Sequence, residues 1–397
     1  MKNKYMLPPC PSYDVEGTES WLADMASEGW MLRRDGFFAG IASFERAKPQ
    51  KVRYRLDAAL HSTSMWADGG GAPDEEAVET AAEWGWEYVA VRGQFYIYRA
   101  PADGVREFHT DPRVQSIAVN EVRKRERASL ITTAFWLCAY PVFYLRGNLL
   151  LTVLEVGTPF ALFTLGILLW ILIGSFVRVW TLRKLRLRLL AGESLHHGKA
   201  WRRKSALYRA KKLAFLAFAI LWAVWMLSLW SADVLDEDKI PLASYEGHPP
   251  FATIADFGVP GSYRRTELSY TNTVQTAADP LAPVMVVWQE NATVTLADGR
   301  VISGGLYVYY FELASPALAR EAARELTRQR QATGREREEL SLSLPSLDSA
   351  CAFADLFPTI VLRQGKTVLR AEFFQSSEEC LSLDEWAGIF TESIRLS

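Results

Sequence analysis

A chain of 397 residues is longer than one domain usually runs, so two or three folding units are expected. Hydrophobic residues make up 49% and charged residues 23%, with 14 Trp, which excludes a disordered chain. The formal net charge of -2 hides a segregation, basic in the middle and acidic toward both ends, and neither soluble part is basic enough to suggest a nucleic-acid partner.

The first segment, MKNKYMLPPCPSYD, has two early lysines but no apolar core of a signal peptide, so a domain over residues 1–127 is expected to stay on the cytoplasmic side. Two stretches of it resemble each other: Thr18 to Ala47 and Glu75 to Ala100. Each reads as an amphipathic helix closed by Gly-Trp, then a strand, a turn and an aromatic strand ending in Arg-Ala. Trp21, Leu22, Met25 and Ala26 share a helix face, and Gly29 and Gly85 stand where a left-handed C-cap needs no Cβ. Val52 to Ala58 alternates at period two, as do Tyr96 and Tyr98. The order predicts an α+β domain, a ferredoxin-like sandwich with an internal repeat. Trp30, Tyr54, Trp86 and Tyr98 either line a ligand or partner surface or fill the core, and Arg55 and Asp57 either pair across strands or add a functional charge to that surface.

The helix from Trp21 to Trp30, the strand Tyr54-Arg55-Leu56-Asp57 and the turn Gly85-Trp86-Glu87-Tyr88 resemble a bacterial family known as domain of unknown function 2812. The resemblance covers about the first third of the chain. It implies a membrane region after the domain and a regulatory setting beside PadR-type transcriptional regulators, and it supplies no catalytic residues.

Three transmembrane helices are expected, at about 129–147, 156–177 and 213–230. Pro141 interrupts the first, which neighbouring helices in a membrane tolerate. Trp180, Trp201 and Trp230 fall near span ends, where an indole buries its ring and keeps its N–H wet. The loop 178–212 carries 12 Lys or Arg against one acid, Glu193, and such charge marks the cytoplasmic side of the plasma membrane. Arg183, Lys184, Arg186, Arg188, Arg202, Arg203 and Lys204 are therefore expected to contact anionic lipid, at about 1 kcal/mol each near the surface. Leu182, Leu185, Leu189 and Leu190 among them extend the second helix as an amphipathic piece. An odd number of spans places residues 233–397 outside.

That outer part reads as a second α+β domain behind an acidic linker containing Asp233, Asp236, Glu237 and Asp238. Strands are expected at Val284 to Gln289, Ala292 to Leu296 and Gly305 to Glu312. A helix capped by Ser315 should run to about Glu339, a hairpin spans Thr359 to Phe374, and Ser382 with Glu385 forms a capping box for the last helix. Cys351 and Cys380 are a candidate disulfide closing a loop of about 28 residues, worth roughly 3 kcal/mol in the chain-entropy model.

Catalytic signatures are missing from the sequence. His61, His109, His196, His197 and His248 have no metal-ligand spacing, and neither a phosphate-binding glycine loop nor a GxSxG elbow occurs, so no cofactor is expected. Glu155 is read as a solvated residue at a span end. The expected function is a non-enzymatic sensor or regulatory adaptor with lipid around it and a cytoplasmic protein partner; a membrane-bound enzyme or an accessory subunit of a membrane complex are the alternatives. Oligomeric state has no sequence code here.

Overall fold

The protein is seen in a computed structural model that describes residues 3–59, 73–108, 111–143, 148–196, 198–235, 239–266, 272–331, 338–341, 347–354, 357–375 and 381–395. The chain divides into two compact units, residues 1–138 with 166–221 and residues 139–165 with 222–397.

The first unit opens with β1 (Asn3–Met6), α1 (Val15–Ser27), β2 (Trp30–Phe38) and β3 (Ile41–Arg46). It repeats the order with β4 (Val52–Ala58), α2 (Glu75–Glu83), β5 (Glu87–Arg92) and β6 (Phe95–Pro101). Two antiparallel three-stranded sheets result, β1-β3-β2 and β4-β6-β5. Both halves are thus strand-helix-strand-strand, with the first strand laid against the third. This corrects the ferredoxin-like expectation, in which all strands share one sheet. A lone hairpin is marginal in water, and each one here recruits the strand that precedes its own helix. Gly29 and Gly85 end the two helices at φ of 81° and 87°, the left-handed conformation a C-cap requires. One core gathers Trp21, Leu22, Phe44 and Tyr54, and a smaller one gathers Trp86, Tyr96 and Tyr98.

Helices α3 (Pro112–Phe143), α4 (Leu149–Val156), α5 (Thr158–Leu190) and α6 (Arg202–Leu235) follow. Among the described residues two of them, α5 and α6 as far as Ser231, are long and apolar enough to cross a membrane. The expectation was three. Residues 144–147 of the first expected span lie outside the described residues, and within the described ones the uncharged run of α3 covers only Ala128 to Phe143, fewer than the ~20 residues that span a bilayer. Leu162, Ile173, Leu216, Val224 and Leu227 on α5 and α6 are exposed, which a core helix of a water-soluble domain would not be. The two helices touch through the Trp222 indole N–H, which donates to Thr164 Oγ1 at 2.9 Å, and through Trp170 against Phe215.

The second unit holds β7 (Ile240–Pro241), β8 (Arg264–Arg265), β9 (Thr273–Ala277), β10 (Val284–Thr295), β11 (Val301–Glu312), α7 (Pro316–Gln331), β12 (Glu338–Ser341), β13 (Ser349–Ala354), β14 (Thr359–Gln364), β15 (Thr367–Gln375) and α8 (Leu383–Arg395). Its sheet runs β12-β13-β14-β15-β11-β10-β9-β7, with β8 on β10. Two expected strands merge into the single β10, because β11 pairs along all of it. The helix expected to reach Glu339 stops at Gln331, and Glu338–Ser341 instead forms a ladder with β13. Alternate residues of β15 face opposite sides, so Leu369, Ala371 and Phe373 pack with α8 residues Trp386 and Phe390 while Val368 packs with α7. The capping box is present: Glu385 N donates to Ser382 Oγ at 3.3 Å and Ser382 N donates to Glu385 Oε2 at 2.8 Å.

Candidate functional site: two polar joints at helix ends

Glu16, Ser20, Asp24 and Glu28 recur every fourth residue and so form one polar stripe along α1 and its C-cap. That stripe meets the end of α5 and the loop that follows. Arg188 Nη2 donates to Glu16 Oε1 at 2.8 Å, and the His196 backbone N–H donates to the same oxygen at 3.1 Å. The Lys199 backbone N–H donates to Ser20 Oγ at 3.1 Å, while its ammonium lies 2.7 Å from Asp14. The Trp201 indole N–H donates to Asp24 at 3.0 Å, and Arg202 reaches Glu28 at 3.1 Å. Beneath these contacts Leu182, Leu185, Leu189 and Leu195 enter the same core as Val15 and Trp21. The amphipathic end of α5 is therefore covered by protein along that leucine face, whereas Leu190 is exposed.

Burial alone would raise the Glu16 pKa, but the hydrogen bonds from Arg188 and His196 outweigh it and hold the carboxyl below its ordinary value. For Lys199 burial acts downward, and the bond to Asp14 with the nearby Glu16 charge reverses it, so its pKa is raised. Both groups are held charged at neutral pH by each other's neighbourhood.

A second joint lies in the other unit. Glu325 of α7, only 2% exposed, accepts from the backbone N–H groups of Leu150 and Leu151 at 2.9 and 2.8 Å. Asp279 accepts from Thr158 N at 2.7 Å and from Thr158 Oγ1 at 2.6 Å. Each carboxylate caps the first turn of a helix, α4 or α5, where unpaired N–H groups and the helix dipole favour negative charge. Leu150 and Leu154 pack with Ala319, Ala322 and Leu326 alongside.

The residues singled out from sequence do not converge on one groove. Tyr54, Trp86 and Tyr98 are at most 2% exposed and fill the two cores, with Trp86 also lining a hollow at the domain's surface. Trp86 donates its indole N–H to Arg106 O at 2.9 Å. Trp30 is half-buried between Lys4 and Arg46, whose charges lie 5.1 and 5.0 Å from its ring centre. Arg55 pairs with Glu107 and, at 3.7 Å, with Glu19, in place of the expected Asp57; Asp57 Oδ1 accepts from the Ala58 N–H. An open hollow of about 380 Å³ beside Trp86 is bounded by Arg34, Val78, Ala82 and Glu87. Burial of Tyr88 at its rim pushes that phenol up to about 12.

Of the seven expected lipid-contacting cations, Arg188 and Arg202 are taken up by α1. Arg183 and Lys184 are exposed and sit over the Trp180 ring at 5.6 and 5.7 Å; Arg203 and Lys204 are exposed, and Arg186 is half-buried. Cys351 Sγ lies 3.5 Å from Thr327 Oγ1, while Cys380 falls outside the described residues, as do His61, His109 and His197. Among the described residues no cluster of three or more His, Cys, Asp or Glu side chains is placed to hold a metal. Sequence reasoning missed both joints; the four-residue spacing of polar residues along α1, Glu16, Ser20, Asp24 and Glu28, was the one signal available.

No curated protein and no solved structure matches the chain. Residues 14–132, which cover both repeats apart from β1 and run into α3, match the family described as protein of unknown function (DUF2812), a match that covers the N-terminal third of the chain.

Proposed function

We propose that the protein is a non-enzymatic membrane sensor or regulatory adaptor of the plasma membrane, in which an outer C-terminal domain and a cytoplasmic DUF2812 domain are each fastened to the same set of helices. The reading rests on one observation above others: in each unit a folded domain holds helix ends through buried carboxylates, Glu16 in the first and Glu325 with Asp279 in the second. The chain changes unit within α3, α5 and α6, and the basic loop between α5 and α6 belongs to the first unit. The positive-inside rule argues that this basic loop, and the DUF2812 domain in the same unit, are cytoplasmic, and a single crossing by α6 beyond the loop then leaves the C-terminal domain outside. The hollow beside Trp86 is the surface this reading assigns to a cytoplasmic partner. Exposed Arg183, Lys184, Arg203 and Lys204 remain for anionic lipid.

A relay of this kind is tested by hydrogen exchange on the full chain in vesicles. Binding of an antibody fragment raised against the C-terminal domain should change exchange at residues 195–201. Unchanged exchange there, with the fragment bound, would argue for two independent domains and against an adaptor.

A further inference from the structure

From Gly36 to Ala42 the sequence reads GFFAGIA, with no polar side chain across a hairpin tip. Exposed turns normally carry Asn, Asp, Ser or Gly, and an exposed apolar run is a defect unless it has a use. Ala39 and Gly40 occupy the two turn positions with φ of 48° and 73°. This is the primed turn that matches strand twist, and Ala39 takes the left-handed conformation there although a residue with a Cβ adopts it at a cost. The turn sets Phe38 opposite Ile41 on one face of the sheet. Phe38 is 75% exposed and Ile41 42%; Tyr5, opposite Ser43 on the neighbouring strand, is 65% exposed on the same face.

A hydrogen bond from α6 marks the place of this tip. Lys212 Nζ donates to Gly40 O at 2.9 Å. Lys212 is the last charged residue of α6 before the uncharged run Leu213 to Trp230, so the hairpin tip stands level with the start of the apolar segment. A second marker agrees on α5: Arg178, the first charged residue after that helix's apolar run, pairs with Glu126 of α3 at 3.0 Å. Trp180, 46% exposed, follows within a turn.

We infer that the β2–β3 hairpin tip is a membrane-dipping element, with Phe38 and Ile41 seated in the interfacial layer of the bilayer beside α6 and Tyr5 at its rim. Lipid is the occupant because the patch lies at the level where α6 leaves the charged region, where a bilayer surface would meet it. The joint at Glu16 and the dipping tip would then hold the DUF2812 domain to the membrane at two places. The inference rests on the membrane reading above and adds the hairpin to it.

The test places a benzophenone amino acid, close in shape to phenylalanine, at Phe38 of the full chain reconstituted in vesicles of phosphatidylcholine and phosphatidylglycerol at 3:1. Two comparison sites are Val224 within the α6 apolar run and Lys48, exposed beyond the far end of β3. After illumination, lipid adducts at Phe38 should exceed those at Lys48 at least fivefold and approach those at Val224. Adducts at Phe38 no more frequent than at Lys48, with Val224 still capturing lipid, overturn the hairpin inference and leave the membrane reading standing. If Phe38 captures another copy of the chain in place of lipid, the patch is a protein contact and the inference also fails. Absence of lipid adducts at Val224 itself overturns the membrane reading and the hairpin inference with it.

Discussion

Glu16 and Arg188 are 172 positions apart in the chain and meet through a 2.8 Å hydrogen bond, with the glutamate side chain 7% and the arginine 36% exposed. The pair ties the first helix of the domain that matches DUF2812 to the end of a candidate membrane helix. Glu16→Gln keeps the size and one acceptor but removes the charge. With the arginine partly solvated, the expected loss is about 1 kcal/mol, read as a lower midpoint of thermal unfolding in detergent. Exchange at residues 195, 196 and 198–201 should rise in the same variant, because those backbone groups lose their anchor.

The joint around Glu16 sets a pH window. Glu16 is held below its ordinary pKa in the folded state, so its contribution is complete above the unfolded value and fades as pH falls through the lowered folded one. Lys199 is raised, so its contribution is complete below its unfolded value and fades only as pH rises through the alkaline folded one. The stability difference between wild type and Glu16→Gln should therefore be constant from neutral to mildly acidic pH and shrink below about pH 4. A difference that grew on acidification would mean that Glu16 is the destabilised, not the stabilised, partner.

Glu325→Gln tests the second joint. The substitution leaves a neutral acceptor at the start of α4 in a place that is 2% exposed, and loss of a charged cap costs about 1–2 kcal/mol. Circular dichroism melts should show the loss, and exchange should quicken at the Leu150 and Leu151 amides. Asp279→Asn, at the start of α5, should act in the same direction.

The two helix-ending glycines should differ. A Cβ on Gly29 would stand 2.9 Å from the Ala47 carbonyl oxygen, which belongs to the backbone and cannot move aside, whereas on Gly85 it would meet the Val105 side chain at 3.1 Å. Both carry the ~1–2 kcal/mol strain of a left-handed alanine, so Gly29→Ala should cost more than Gly85→Ala in chemical denaturation.

Local features were legible in the sequence, and contacts between distant segments were not. Gly29-Trp30 and Gly85-Trp86 announced the repeat because a helix end is a local event, and Ser382 with Glu385 announced α8 for the same reason. The short β1, Asn3–Met6, has no alternation to read, and without it the repeat looked like a ferredoxin-like sandwich. Leu182, Leu185 and Leu189 were visible as an apolar stripe, but periodicity does not say whether lipid or protein covers a stripe; here the N-terminal domain does. Arg188 and Arg202 read as lipid-facing because their partners, Glu16 and Glu28, sit more than 170 residues away. Glu325 and Asp279 were invisible as caps for the parallel reason that the helices they cap belong to another part of the chain.

The measurement that bears most directly on the account is the sidedness of the two domains. Cys10 is buried and reports poorly, so single cysteines are better placed at the exposed positions Asp103 and Lys366 in a chain whose native cysteines are replaced. A membrane-impermeant maleimide added to intact cells should label Lys366→Cys at once and Asp103→Cys only after permeabilisation. Labelling of both in intact cells, or of both only after permeabilisation, would put the domains on one side and contradict a protein that joins the two faces of a membrane.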